Sequence, residues 1–511
     1  MKFAFYRDVL SLMMVMQGRP RVSSCKLLQL PAEILADIVD LLSDDRASLE
    51  SLALVNSDCQ QLARCCQFAE VNFDYSLEAK QLASQLVEDK SSQLSKPGIG
   101  ACIRRVTFAS HPHHVAHTHR ELYESFYGDD AQSVAVEQRE VLSDEAREEY
   151  VVARAAAVEA ISSLPNLETL SWRDQFSLDK SFFERITRCS AQHIDLNRPA
   201  IDDAWSLTPP LTPSTWPLRS LKLDVTPLKS LDLDDRVLNN PSTFDCKPLR
   251  DLEDFAVSHP PQKASACKRI AKFISQHTGL RRLYLHESSS AQGGTAYLDD
   301  VILPTLSSLD FGNLRSLYLA WGEAQIPEKS LRRIGRLVSL EQLSLSAGKP
   351  SGWQHQWLVD HDELRQHLRQ LQGLTKLALV RDTCPVPVPY PGLPSETYYK
   401  MLFAGSEERE DAEARPDLDM DQDTESDAQE GEGLLRDMEE IWERAHRNRM
   451  LDQAEKYAAV FPKLEWMFCG QRPMGFMKTP EGQCEFRRAV PLTQGRDECR
   501  TYRQAIFRGS Y

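Results

Sequence analysis

The chain has 511 residues, 41% hydrophobic and 26% charged, which excludes a wholly disordered or collagen-like polymer and leaves room for two to four domains at about 100–200 residues each. The formal charge is −15, but residues 406–432 hold 13 Asp/Glu against two Arg, so that stretch carries −11 and the rest only −4. A nearly neutral globular part is poorly suited to gripping nucleic acid through phosphates, and no apolar run reaches the ~18–20 residues that cross a bilayer.

In chain order, residues 1–26 are read as a disordered leader. Val9–Met16 is apolar and faintly resembles a signal peptide, but Asp8 abuts it and Gln17-Gly18-Arg19-Pro20 offers no small-residue cleavage site. From Leu27, Leu30-Pro31 precedes Ile34, Leu35, Ile38, Leu41 and Leu42, one apolar stripe at helical spacing. Pro31 suits the first turn. Ser43-Asp44-Asp45 can cap a second helix with Leu49, Leu52 and Val55 on its face. Asn56-Ser57-Asp58 interrupts again, and a third short helix is expected from Leu62 to about Phe68. A unit this small leans on a neighbour for stability.

From residue 69 the order helix, turn, strand recurs. The pattern L-x-x-L-x-L starts at Leu49, Leu218, Leu228, Leu280, Leu314, Leu340 and Leu374, with looser copies at Leu167, Leu252 and Leu464. Starts at 218, 252, 280, 314, 340 and 374 are separated by helical segments, so each unit is one short strand and one helix. A single unit cannot bury its apolar faces, whereas stacked units make a continuous core. The expected fold class is α/β, a parallel βα solenoid over residues 69–395. A disordered acidic linker is expected over 396–433, and a terminal repeat with a cap over 434–511.

Strand alternation sends every second side chain of these units away from the leucine side. Arg and Tyr are favoured interface anchors. Arg282, Tyr284, His286, Tyr318, Lys376 and Trp466 are therefore the candidate substrate-binding residues. His111–His119 contains five histidines, but Pro112 and the lack of nearby Cys or paired acids favour a surface loop over a Zn²⁺ site, so no metal and no cofactor is expected. Thr208, Thr212, Thr226 and Thr479 each precede Pro, which suits either turns or proline-directed phosphorylation. No phosphate-binding glycine loop, H-E-x-x-H or G-x-S-x-G occurs; the expectation is a binding protein, not an enzyme. Twelve cysteines form no C-x-x-C and no N-x-[S/T] acceptor is present, which favours a reducing compartment, cytoplasm or nucleus.

Residues 27–68, with Leu30-Pro31-x-Glu33-Ile34-Leu35-x-x-Ile38-x-x-Leu41-Leu42 and then Leu49, Leu52, Val55 and Asn56, resemble the F-box. The repeats resemble the irregular leucine-rich-repeat domains that follow F-boxes in fungal proteins. Two departures stand out. A Trp common late in the F-box is absent, and Thr226, Ser288, Gly322, Gly348 and Asp382 occupy the place of the repeat family's ladder Asn. The resemblance implies a three-helix F-box ahead of an uneven leucine-rich-repeat-like solenoid. It implies docking on a Skp-type adaptor, and through it a cullin, by Leu30, Pro31, Ile34, Leu35 and Ile38. The repeats would then recruit an unknown protein substrate for ubiquitination, with neither nucleic acid nor membrane as partner. The alternative is a leucine-rich-repeat interaction scaffold with no ligase role.

Overall fold

The computed structural model describes, apart from short gaps, residues 26–91, 98–109, 119–128, 134–201, 217–224, 248–258, 264–286, 297–380, 406–415, 430–469, 472–478 and 487–492. The leader, His111–Thr118 and all four Thr-Pro threonines lie outside the described residues. The chain divides into two compact units, residues 1–254 and 255–511.

The first unit opens with a 3₁₀ turn, Lys26–Gln29. Ile34, Leu35, Ile38, Leu41 and Leu42, the residues of the apolar stripe, are helical. Two helices follow, α1 (Arg46–Ala53) and α2 (Ser57–Gln67). The Asp45 side chain caps α1 by accepting from Ala47 N–H at 3.1 Å. Asn56 caps α2 by accepting from Cys59 N–H at 2.8 Å. That cap starts α2 five residues before the expected Leu62, because Asn56-Ser57-Asp58 is a helix entry and not a break. Leu28, Leu35, Cys59 and Leu62 form a small core, with Leu27 and Leu52 against it.

Behind it run β1 (Glu70–Phe73), α3 (Leu77–Ser91), β2 (Arg105–Phe108), α4 (Arg120–Tyr127), α5 (Val136–Ile161) and β3 (Thr169–Trp172). Then come β4 (Ser177–Leu178), β5 (His193–Asn197), β6 (Ala200–Ile201) and β7 (Ser220–Asp224). β4 and β6 pair only with each other. The others make a parallel sheet in the order β1-β2-β3-β5-β7. Val71, Val106, Leu170, Ile194 and Leu221 are in register across it, all buried. Two residues on, Phe73, Phe108 and Trp172 line up, with ring centroids 5.4 and 5.0 Å apart.

The second unit holds β8 (Asp254–Ser258), α6 (Ala264–Ser275), β9 (Arg282–His286), a π-helical turn (Leu298–Ile302) running into α7 (Leu303–Ser308), β10 (Ser316–Trp321) and α8 (Glu328–Ile334). It continues with β11 (Gln342–Ala347), α9 (His361–Leu368), β12 (Lys376–Leu379), α10 (Ser406–Glu413), α11 (Glu430–Val460), β13 (Trp466–Cys469), β14 (Arg472–Lys478) and β15 (Arg487–Pro491). From β9 to β13 the strands are parallel neighbours; β14 and β15 are antiparallel and end the sheet. Leu283, Leu317, Leu343, Leu377 and Met467 form one in-register column. Leu285, Leu319, Leu345, Leu379 and Cys469 form the next, and both columns are buried throughout. At roughly 1.5–3 kcal/mol per buried aliphatic side chain, these columns dominate the unit's stability.

One backbone device recurs in both units. At several strand entries two successive N–H groups reach one carbonyl of the preceding strand's entry. Glu168 and Thr169 donate to Arg104, Gln192 and His193 to Glu168, Glu341 and Gln342 to Arg315, and Thr375 and Lys376 to Glu341. Side chains reinforce it a few residues ahead of the strand. Asn166 Nδ2 donates to Ala101 O at 2.7 Å. Ser190 Oγ donates to Leu167 O at 2.9 Å and Ser339 Oγ to Leu314 O at 2.8 Å. Polar capping of neighbouring turns is therefore present ahead of these strands.

The acidic stretch differs from its sequence reading. Residues 406–413, expected in a disordered linker over 396–433, form α10, and α11 begins at Glu430. Tertiary contacts with α11 supply what the isolated segment lacks.

Candidate functional site: two candidate surfaces

The N-terminal helical module splits its apolar stripe into two lines. Leu35 is only 3% exposed and anchors the small core. Ile34 and Leu41 are 46% and 83% exposed, with half-buried Ile38 between them. The spacing 34, 38, 41 puts these three on one helical face. Leu30 and Pro31 are also exposed. Leu54 and Val55, at the end of α1, are 87% and 63% exposed. Of the five expected adaptor-facing residues, Leu30, Pro31 and Ile34 are at the surface, Ile38 is partly so, and Leu35 is in the core. Leu41, Leu54 and Val55 were not among the expected site residues. Their signal was a surplus of large apolar residues for a unit with so little interior.

The second candidate surface is the sheet face opposite the leucine columns. Register puts Arg282, Ser316, Gln342, Lys376 and Trp466 in one row and Tyr284, Tyr318, Ser344, Ala378 and Phe468 in the next. All six expected residues therefore belong to one face, with His286 at its edge beside Ala320. Their accessibility differs. Arg282 is exposed, and His286, Tyr318 and Lys376 are half-buried. Tyr284 and Trp466 are buried. The cause is packing along the rows: the Tyr284 and Tyr318 rings stack at 4.2 Å, and Trp466 joins Phe468 and Ala378 in a closed apolar cluster. Aromatic side chains in adjoining strands satisfy one another before they meet a partner. Arg282, His286, Tyr318 and Lys376 are the members of the set with surface to offer.

Other reactive groups are held in structural roles. In the first unit the buried Asp174 carboxylate accepts the Tyr75 hydroxyl at 2.7 Å and also that of Tyr150. Burial, and then the neighbouring Asp174, pushes the Tyr75 hydroxyl far above its ordinary range, so it stays protonated and donates. Tyr75 adopts φ 66°, a left-handed conformation that costs a branched-free L-residue roughly 1–2 kcal/mol; its hydroxyl bond and edge contact with Tyr150 at 4.4 Å offset that cost. The seven cysteines among the described residues are free thiols. Cys65 and Cys102 lie 3.3 Å apart. Their shared hydrogen bond, then burial, drives the Cys65 thiol far above its usual value, which suits packing and not nucleophilic attack.

Among the described residues one cluster has metal-ligand chemistry. Glu328 on α8 and Glu363 and His367 on α9 bring their donor atoms within 4.8 Å of one another. His367 Nε2 lies 3.5 Å from a carboxylate oxygen of each Glu. Arg332 already ion-pairs with Glu328, so the cluster reads as a charge network that ties α8 to α9. Within the described residues no helix is long and apolar enough to cross a membrane. Neither a scan against protein-family models nor a search of curated proteins returns a match to this chain.

Proposed function

We propose that this chain is the substrate-recognition subunit of a Skp–cullin–F-box ubiquitin ligase. The observation that carries the reading is the L-P-x-E-I-L segment whose Leu30, Pro31 and Ile34 stay at the surface, continued by Leu41, while Leu35 fixes the helix from within. An exposed apolar line on a small helical module matches what an adaptor-docking F-box requires. In this reading the module binds a Skp-type adaptor and through it a cullin. The βα units hold an unknown protein target, with Arg282, His286, Tyr318 and Lys376 as the accessible contacts. No residue of the chain performs covalent chemistry; its contribution is to raise the target's effective concentration near the ubiquitin donor. The free thiols suit cytoplasm or nucleus as the place of action.

The test is co-purification of the full chain with a Skp-type adaptor, wild type against a Leu30→Lys, Ile34→Lys double variant. Both positions are exposed, so the variant is expected to melt with the wild type and to lose the adaptor. Leu35→Lys is unsuited to this purpose, because it buries a charge in the module's core. Equal adaptor recovery by wild type and variant overturns the ligase reading and leaves an interaction scaffold.

A further inference from the structure

Helix α10 has the sequence Ser-Glu-Glu-Arg-Glu-Asp-Ala-Glu, five acids against one Arg. Eight residues are too few to hold a helix in water alone, and the like charges of Glu407 and Asp411, four apart, oppose it further. What holds it is α11. Arg449 ion-pairs with Glu407 at 3.4 Å, Glu408 at 3.6 Å and Asp411. Asn448 Nδ2 donates to the backbone oxygens of Asp411 at 2.8 Å and Ala412 at 3.3 Å, carbonyls that a helix end leaves open. Just past α10, Arg415 is mostly buried and pairs with Asp452 at 2.5 Å and Glu455 at 2.9 Å of α11. Ala412 is the one apolar side chain of α10 that is fully buried, beside these charge and hydrogen-bond contacts.

These contacts are generic. Arg449 reads two adjacent carboxylates and a third one helical turn later, and Asn448 reads main chain. The only shape requirement is a small residue after that third acid, where Ala412 sits. We propose that the α11 surface centred on Asn448 and Arg449 is a docking site for an acidic helical segment of a partner protein, with α10 as its resident competitor. The segment it takes has the form acid-acid-x-x-acid-small. The chain joins α10 to β12 through residues 380–405 and to α11 through 414–429, so α10 competes at the effective concentration of a tethered ligand. The partner must therefore bind tightly, or α10 must first be loosened. This inference is independent of the ligase reading.

The experiment uses the full chain and, as probe, a fluorescein-labelled peptide with the sequence of residues 404–418. In a Glu407→Lys, Glu408→Lys, Asp411→Lys variant α10 no longer fits its site, and fluorescence anisotropy should report peptide binding at least tenfold tighter than for wild type. Adding Arg449→Glu to that variant should abolish binding, and a peptide with Trp at the Ala412 position should fail. Absence of binding to the triple variant, or binding indifferent to Arg449→Glu, overturns the proposal. Equal binding of a single-stranded oligonucleotide of the same charge overturns it in favour of a general polyanion surface. If the triple variant does not fold, wild type supplies the reading. Raising salt from about 0.1 to 1 M shortens the screening length from about 10 to 3 Å, so tryptic cleavage at Arg409, normalised to a small reference substrate, should accelerate severalfold. A salt-independent rate overturns the charge-held docking.

Discussion

The N-terminal helical module and the strand columns of the second unit use the same kind of residue to opposite ends. Leu317, Leu343 and Leu377 are wholly buried, each backed by the in-register leucine of the adjoining strand. Leu41 and Leu54 are more than four-fifths exposed. A stacked array of βα units always offers the next leucine a neighbour, whereas three short helices run out of interior. What remains outside on the module is apolar surface with no internal use.

The contrast can be broken most directly by truncation. Leu343→Ala should cost about 2–5 kcal/mol, because the flanking strands keep the cavity open, while Leu41→Ala should change stability by no more than about 0.5 kcal/mol. Urea unfolding of the two variants checks this, and comparable losses would erase the distinction. Next in size is Gly335→Ala at the end of α8. A Cβ there would lie 2.1 Å from the His367 carbonyl oxygen, so backbone must move, at about 1–3 kcal/mol. Leu331→Ile nearby, which conserves volume, serves as the control in the same melt.

A smaller effect is expected at the turn ladder. Ser339→Ala removes bonds to the carbonyls of Leu314 and Phe311 and should cost about 1 kcal/mol. Ser190→Ala should do the same in the first unit, where Ser190 Oγ bonds Leu164 O and Leu167 O. A cost confined to one unit would show that the two do not share the device. The smallest effect is pH-dependent. His277 is buried in the second unit, and burial lowers its pKa below the ordinary value despite a bond from Nδ1 to Phe273 O at 2.7 Å. The unfolded chain then binds the proton more readily, so this contribution is complete above the unfolded pKa of about 6.5 and is lost as pH falls from there toward the folded value. Thermal melts between about pH 7 and 5.5 should show a decline that His277→Gln flattens.

Much of this was legible in the residues. The recurrence of L-x-x-L-x-L located β7 and β9 to β12, because a leucine at each of those spacings has only one way to become buried on a strand. The common face of Arg282, Tyr284, Tyr318 and Lys376 followed from alternation. Their accessibility did not, since it depends on which rings in adjoining strands stack. The docking of residues 406–413 was equally hidden. Composition gives a segment's preference in water, and Arg449 lies some forty residues away in the chain.

The sequence by itself determined the α/β class, the unit length, the leucine side of each strand and the helical stripe after Leu30, all of them local periodicities with a direct steric meaning. Only the tertiary structure decided that Leu35 turns inward while Ile34 and Leu41 do not, that Trp466 is sealed from solvent, and that residues 406–413 form a helix. Burial and charge pairing are properties of neighbours brought together from distant parts of the chain, and no local pattern encodes them.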